Sequence, residues 1–262
     1  MIPGNIMQLD NVHYEVEAYV NGNKVKKQIL KEISFSLKEK NILGVTGESG
    51  SGKTTLAKII AGLIKPTGGK IHYSNKLSDK NSRNRIQVLF QNNGDILNPF
   101  RTIAHMLDEA MKIEIADKNE REIFRQELID AVDFSENLLD RKGFQLSGGE
   151  QQRAALMRLL AVKPELLILD EPFSAQDFES QISFLKLFKG INEKFGTTII
   201  CISHDILLLK ALVDEVIVMY NGSIVESNSA NNIFSFPAHP YTKFLLDANS
   251  LNLTKEELKK SF

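Results

Sequence analysis

GESGSGKT, residues 47–54, sets three glycines, two serines and one lysine in eight positions directly behind the apolar run NILGVT at 41–46. Such a stretch is either a flexible surface loop or a phosphate cradle, and its flanks decide between the two. ILGVT reads as a buried strand running straight into the loop. Behind the loop, TTLAKIIAGLI places Leu56, Ile59, Ile60 and Leu63 at helical spacing, and KPTGG ends the helix with proline and glycine. Strand, glycine loop and helix form the setting in which successive backbone N–H groups converge on phosphate oxygens with no Cβ in the way. The helix turns its positive end toward the same oxygens. The pattern G-x-x-x-x-G-K-[ST] is met by Gly47, Gly52, Lys53 and Thr54. Lys53 would reach the β- and γ-phosphates, and the Thr54 hydroxyl would complete a magnesium shell. The expected nucleotide-binding set is therefore Gly47, Glu48, Ser49, Gly50, Ser51, Gly52, Lys53, Thr54 and Thr55, with ATP and Mg2+ as the ligands.

Upstream, MQLDNVHYEV and QILKEISFSL alternate apolar and polar residues as strands do, separated by the lysine-rich stretch NGNKVKK at 21–27, which reads as a turn. Downstream, KIHYS and RIQVLFQ are strand candidates around a polar loop. From about Thr102 to Leu160 the character changes: TIAHMLDEAMKI, NEREIFRQELIDAV and the segment after LSGGE carry helical periodicity, which predicts a helical insert. Strand and helix alternate again through ELLILD, SQISFLKLFKGINEKF, TTIICIS, LLLKALV and EVIVMY, with a reverse turn at NGS. The tail contains a helix-like YTKFLLDA and ends in the charged TKEELKK. The expected segmentation is 1–96 for an N-terminal β portion and phosphate-loop core, 97–160 for the helical subdomain, 161–236 for the second part of the α/β core and 237–262 for the tail.

The whole-chain properties are restrictive in one respect. With 262 residues the chain suits one large α/β domain or one domain with a smaller insert, and a formal net charge of −1 gives no overall pull toward nucleic acid or anionic lipid. The single cysteine, Cys201, lies in an apolar run and reads as a buried small hydrophobe, which fits a reducing compartment. The N-terminus has no basic region followed by an apolar stretch. The apolar windows fall short of the roughly 20 residues a bilayer needs, so a peripheral protein is expected, docked on a membrane partner if on a membrane at all.

LLILDEP is an apolar strand ending in two carboxylates, Asp170 and Glu171, at the end of a sheet strand where doubly wound folds place their chemistry. Asp170 is the expected magnesium-facing group, acting through bound water, and Glu171 the expected general base or water-positioning group. The plainer reading of DEP is an acidic helix cap before Pro172. His204, in CISHD, also follows an apolar strand and can donate to the γ-phosphate or hold the attacking water, although SHD equally reads as a cap. Gln91, behind IQVLF, offers an amide to both metal and water.

LSGGEQQR at 146–153 opens a helix with a serine and two glycines but no lysine, so it is no second phosphate loop. On physical grounds a capping box between Ser147 and Glu150 suffices to explain it. Together, however, GESGSGKT, FQ at 90–91, LSGGE, LLILDEP, SAQD and SHD stand in an order, over most of the chain, that resembles the ATP-binding cassettes of ABC transporters, with LSGGE as the family's signature segment. The resemblance implies a P-loop NTPase of ABC type: an α/β cassette with an N-terminal antiparallel β portion and an inserted helical subdomain. It implies a Mg-dependent ATPase working as a head-to-tail pair, in which Ser147, Gly148, Gly149 and Glu150 act on the partner's nucleotide. Lys53, Thr54, Gln91, Asp170, Glu171 and His204 then act on this chain's own nucleotide. Asp177 of SAQD resembles the aspartate that crosses the dimer interface, and it is preceded by Gln176 where the family usually has leucine. The family also stacks an aromatic on adenine. Tyr14 and Tyr19 are both candidates, Tyr14 sharing a strand face with Val12 and Val16 that fits a core role as well.

ILNPFRTI at 96–103 and HPYTKFLLDA at 239–248 resemble the dipeptide, oligopeptide and nickel importer branch, although FQNN and LSGGE depart from that branch's usual FQDP and FSGGQ. The implied partners are a second cassette, equal or unequal, two integral membrane permease subunits met near Gln91 to Phe100, and indirectly an extracytoplasmic solute-binding protein. The implied location is the cytoplasmic face of the cell membrane. No nucleic-acid partner is expected, and without the cysteine-rich tail of longer relatives no iron–sulfur cluster is expected. The alternatives are a cassette of an exporter or lipoprotein-release system, a soluble ABC ATPase acting on ribosomes or DNA, and a regulatory protein that binds ATP without turnover. The presence of Glu171 argues against the last.

Overall fold

The computed structural model describes residues 4–20, 23–78, 85–90, 96–174 and 176–248. By its contacts the chain divides into two units, Met1–Ser74 with Ile200–Phe262 and Asn75–Ile199.

In the first unit, β1 (Asn5–Val20) and β2 (Asn23–Lys38) pair antiparallel, burying Met7, Leu9, Val12, Leu30, Ile33 and Leu37 through the alternation seen in the sequence. NGNKVKK is not a seven-residue turn: β2 begins at Asn23. Ion pairs from Lys24 to Glu17 at 2.8 Å and from Lys26 to Glu15 at 3.6 Å tie the strand ends together, so charge pairs stand where apolar alternation would otherwise announce a strand. β3 (Ile42–Gly47) is buried at every residue and leads through the glycine loop into α1 (Lys53–Ile60). α1 stops short of the expected face: Gly62 takes a φ of 73°, and Leu63 lies 61% exposed beyond the helix. β4 (Gly68–Tyr73) then pairs antiparallel with the other edge of β1, completing a three-stranded sheet in the order β2-β1-β4.

In the second unit a short α2 (Asn75–Ser78) occupies part of the stretch expected to be a polar loop, where Leu77 finds a buried place. β5 (Ile86–Leu89) lies parallel to β6 (Leu166–Asp170), and between them in sequence come α3 (Ile103–Met111), α4 (Lys118–Val132) and α5 (Gly148–Leu160), the expected helical insert. Side-chain caps begin the first two of these helices: Thr102 accepts from the His105 N–H at 3.3 Å and Asp117 from the Glu120 N–H at 2.8 Å. Buried Arg121 secures the α3–α4 connection. It donates to the Ile115 and Ala116 carbonyls at 3.0 and 2.7 Å and to Asp108 at 3.2 Å. α6 (Phe178–Phe195) ends at Gly196 in the left-handed region, and its Phe184 and Phe188 form an aromatic cluster with Phe173.

The chain returns to the first unit within β7 (Thr198–Ile202), where Cys201 is buried as expected. α7 (Ile206–Leu212) follows, and it leads into Val213, which lies against β3: a Cβ added at Gly44 would stand 3.2 Å from the Val213 side chain. β8 (Glu215–Tyr220) runs parallel to β3, and β9 (Ser223–Ser229) antiparallel to β8. α8 (Ala230–Ser235), capped by Ser229, had no clear periodic signal. A further helical segment at 240–248 matches YTKFLLDA, while TKEELKK lies outside the described residues. Among the described residues no helix is long and apolar enough to cross a membrane.

Phe188 is fully buried, with its ring centroid 5.7 Å from Phe173 and 5.9 Å from Phe184. Phe188→Ala is therefore expected to cost about 3–5 kcal/mol of stability, read as a lower urea midpoint with an unchanged denaturant slope.

Candidate functional site

The loop after β3 is shaped by its glycines. Gly47, Gly50 and Gly52 have φ of 144°, 82° and 102°, conformations that L side chains avoid. Two of them are also steric necessities. A Cβ at Gly47 would stand 2.0 Å from the Met219 carbonyl oxygen, and one at Gly52 would stand 2.6 Å from the Leu30 side chain. The first-turn N–H groups of α1 receive no side-chain cap. Beneath the loop the Lys53 ammonium is buried and donates to the Gly47 and Glu48 carbonyls at 2.8 and 2.7 Å, with Ser51 Oγ at 3.5 Å. A cation is thus fixed inside a ring of backbone while Glu48, Ser49, Gly50 and Thr54 face outward.

In the second unit, β6 is buried throughout and delivers Asp170 to its carboxyl end, 5% exposed. Glu171 follows with a φ of 53°, a left-handed conformation unusual for a glutamate. The turn that holds it there is closed by the Ser174 N–H and hydroxyl, which donate to the Glu171 carbonyl at 3.2 and 2.9 Å. Glu32, Lys40 and Lys163 also take positive φ, so it is the place at the end of buried β6 that marks Glu171.

α5 opens with the capping box that the sequence suggested. Glu150 Oε2 accepts from the Ser147 N–H at 2.7 Å and from its hydroxyl at 2.8 Å, and Ser147 Oγ accepts from the Glu150 N–H at 3.4 Å. The Ser147 N–H and then its hydroxyl hold the Glu150 carboxyl below its ordinary value. Around Gly148 and Gly149 there is open space: apart from the chain neighbours and the helix's own backbone, no described atom lies within 4 Å of where a Cβ would be.

Such an arrangement has known counterparts. A family model described as ABC transporter matches residues 30–174. The chain belongs to the ABC transporter family. An oligopeptide transport ATP-binding protein of Lactococcus lactis is 37% identical to the cassette over 232 residues, covering 85% of this chain and 73% of its own. A dipeptide transport ATP-binding protein of Haemophilus influenzae is 34% identical over 259 residues, covering 94% and 79%. An ATP-binding cassette solved as a dimer in a post-hydrolysis state with ADP and phosphate matches with a TM-score of 0.72 at 27% identity, over 86% of this chain and 98% of its own. A component of a Clostridium perfringens ABC transporter complex shares the fold at a TM-score of 0.77, 24% identity and 99% and 100% coverage.

Other expected site residues of the cassette fall as follows. The cap reading of SHD belongs to Asp205, which accepts from the Leu207 and Leu208 N–H groups at 3.0 and 3.1 Å, while the neighbouring His204 is exposed. Asp177 caps α6, accepting from the Ser180 N–H at 2.8 Å, and that N–H followed by the Ser180 hydroxyl lowers its carboxyl. Tyr14 is half-buried opposite Leu30, and Tyr19 is 75% exposed. Gln91 lies outside the described residues. Magnesium takes few protein ligands and draws the rest from phosphate and water; the exposed Thr54 hydroxyl in the first unit and the Asp170 carboxylate in the second are each groups of the kind it accepts, and among the described residues no group of three or more His, Cys, Asp or Glu could hold a metal ion.

Sequence reasoning missed one link. Gln152, 1% exposed in α5, donates to the Pro172 carbonyl at 2.8 Å and accepts from the Gln176 amide. Gln176, which departs from the family's leucine, thereby joins the turn after β6 to the signature helix. The departure itself was the available signal. Gln152→Leu leaves the Pro172 carbonyl and the Gln176 amide without these partners and is expected to destabilise the chain by about 1–3 kcal/mol. The double change Gln152→Leu with Gln176→Leu should recover part of that loss in chemical denaturation.

Proposed function

We propose that the cassette hydrolyses ATP to drive solute import, its cargo being peptides or nickel and other metal complexes. The observation that carries the nucleotide reading is the 47–54 loop, whose glycines all take conformations L side chains avoid, with no room for a Cβ at Gly47 or Gly52, and whose lysine is fixed beneath it. A peptide cargo is supported by the names of relatives that match 85% and 94% of this chain, an oligopeptide and a dipeptide transport ATP-binding protein, while the import direction and the metal-complex alternative rest on the branch resemblance of ILNPFRTI and HPYTKFLLDA.

In this reading the loop N–H groups from Gly47 to Thr55 and the Lys53 ammonium hold the β- and γ-phosphates. Thr54, Asp170 and Gln91 would hold magnesium, which when bound neutralises phosphate charge and orients the terminal group. Glu171 accepts a proton from the attacking water, and His204 donates toward the γ-phosphate. Tyr14 is the proposed adenine-stacking residue, with Tyr19 the other candidate.

Ser147, Gly148, Gly149 and Glu150 act on the nucleotide of a second cassette, with Asp177 at the same seam. Glycine in the middle of a helix costs about 0.5–1 kcal/mol against alanine, and among the described residues nothing beyond the helix's own backbone and chain neighbours crowds Gly148 or Gly149. An approaching phosphate supplies a reason for both. Residues 97–160 are assigned to transmission, with Phe100, 82% exposed, presented toward two permease subunits at the cytoplasmic membrane face. A solute-binding protein on the far side completes the assembly.

Lys53→Ala is expected to weaken Mg-ATP binding about ten- to a hundredfold, the scale of lost charge-assisted hydrogen bonds; titration calorimetry giving wild-type affinity would remove the residue from the phosphate site. Glu171→Gln should retain ATP binding while hydrolysis falls by orders of magnitude and an ATP-loaded dimer accumulates in mass photometry with the native partner cassette present. Adding Ser147→Arg should abolish that accumulation. Normal turnover in Glu171→Gln, or undisturbed closure with Ser147→Arg, contradicts the corresponding role.

A further inference from the structure

We propose that the HPYT segment braces the phosphate loop, with Tyr241 as a positioning residue for nucleotide bound in this chain's own site. The inference rests on the nucleotide reading of residues 47–54.

The segment is pinned at its start. Glu226 on β9 accepts from the Ala238 N–H at 2.8 Å and from the His239 N–H at 3.0 Å, one carboxylate oxygen for each. Burial pushes the Glu226 carboxyl up, but the Ala238 and His239 N–H groups help hold it below its ordinary value, so the anchor is ionised at neutral pH. His239 Nδ1 accepts from the Tyr241 N–H at 3.1 Å, and Thr242 is 1% exposed. These contacts fix where the Tyr241 ring goes.

That ring stacks on Tyr220, the centroids 4.3 Å apart and the planes tilted by 32°. Tyr220 directly follows Met219, which pairs with Gly47 and whose carbonyl oxygen occupies the space beside the first loop glycine. The stack therefore stands behind the root of the loop. Burial, above all, raises the Tyr241 phenol. The hydroxyl itself completes no hydrogen bond among the described residues, so the brace acts through the ring and its stack on Tyr220, next to the Met219 that pairs with Gly47. Gly47 and Glu48 are the two residues whose carbonyls hold Lys53. Backing them keeps loop and ammonium ordered before phosphate arrives, which lowers the cost of binding it.

The test uses the full chain, fluorescent Mg-ATP titration and amide hydrogen exchange over peptides covering residues 47–54. Tyr241→Ala is expected to weaken binding about three- to tenfold, the scale of one aromatic pair, and to speed exchange in the loop while β6 keeps its protection. Tyr241→Phe, which retains the ring, should restore affinity to within about twofold of wild type. Glu226→Gln, which loosens the segment from a different residue, should shift affinity and loop exchange in the same direction as Tyr241→Ala. Wild-type affinity and loop exchange in both Tyr241→Ala and Glu226→Gln overturn the brace, as does a loss in Tyr241→Phe equal to that in Tyr241→Ala, or exchange that rises uniformly along the chain. A wild-type chain that binds no Mg-ATP sinks the nucleotide reading itself. Wild-type binding abolished by Lys53→Ala but indifferent to Tyr241 sinks the brace alone.

Discussion

At Gly47 the backbone passes the Met219 carbonyl oxygen so closely that a Cβ would stand 2.0 Å from it. That missing atom lets β3 end flush against β8, and the rest of the first unit is arranged around the contact. The carbonyls of Gly47 and Glu48 turn down onto Lys53, the Ser51 N–H closes back on the Glu48 carbonyl at 3.2 Å, and α1 starts without a side-chain cap. Any larger residue at position 47 would have to push β3 and β8 apart, and the lysine would lose its seat with them. A single steric exclusion thus sets strand pairing and charge placement together.

Two structural devices in the second unit show that a plain reading and a functional one need not compete. The capping box of Ser147 and Glu150 was sufficient to explain LSGGE as a helix start, and it is present. Because it ties down the first turn, it also holds the small, uncrowded residues that follow in one orientation. Asp177 likewise serves as an ordinary helix cap at the place where the family resemblance asks for an interface residue. Capping fixes direction, and a site that must meet a second molecule benefits from fixed direction.

What could be read in the sequence was what depends on near neighbours along the chain. The glycine loop between β3 and α1 was legible because its flanking strand and helix lie beside it, and the helical insert because α3 and α4 each carry their own periodicity. The strand character of Asn23 to Lys27 was hidden, since it rests on Glu17 and Glu15 across the hairpin. Leu63 was misassigned because periodicity says nothing of the left-handed turn at Gly62. The Gln152–Gln176 link and the Tyr220–Tyr241 stack join residues 24 and 21 positions apart, and only folding reveals what each is for. Gln91, expected to serve metal and water, lies outside the described residues.

Glu171 sits at a φ of 53°, where glycine or asparagine would rest more easily and a glutamate gives up about 1–2 kcal/mol. Replacement by either would remove that strain together with the carboxylate. Random drift at this codon therefore has a stabilising direction that selection for fold alone would reward. A copy of this chain released from transport duty, whether by gene duplication or by selection only for heat tolerance, would be expected to lose its glutamate early. With the proposed role of Glu171 as base, the amino acid at position 171 offers a way to tell, in a lineage of such copies, which ones are still being held to turnover.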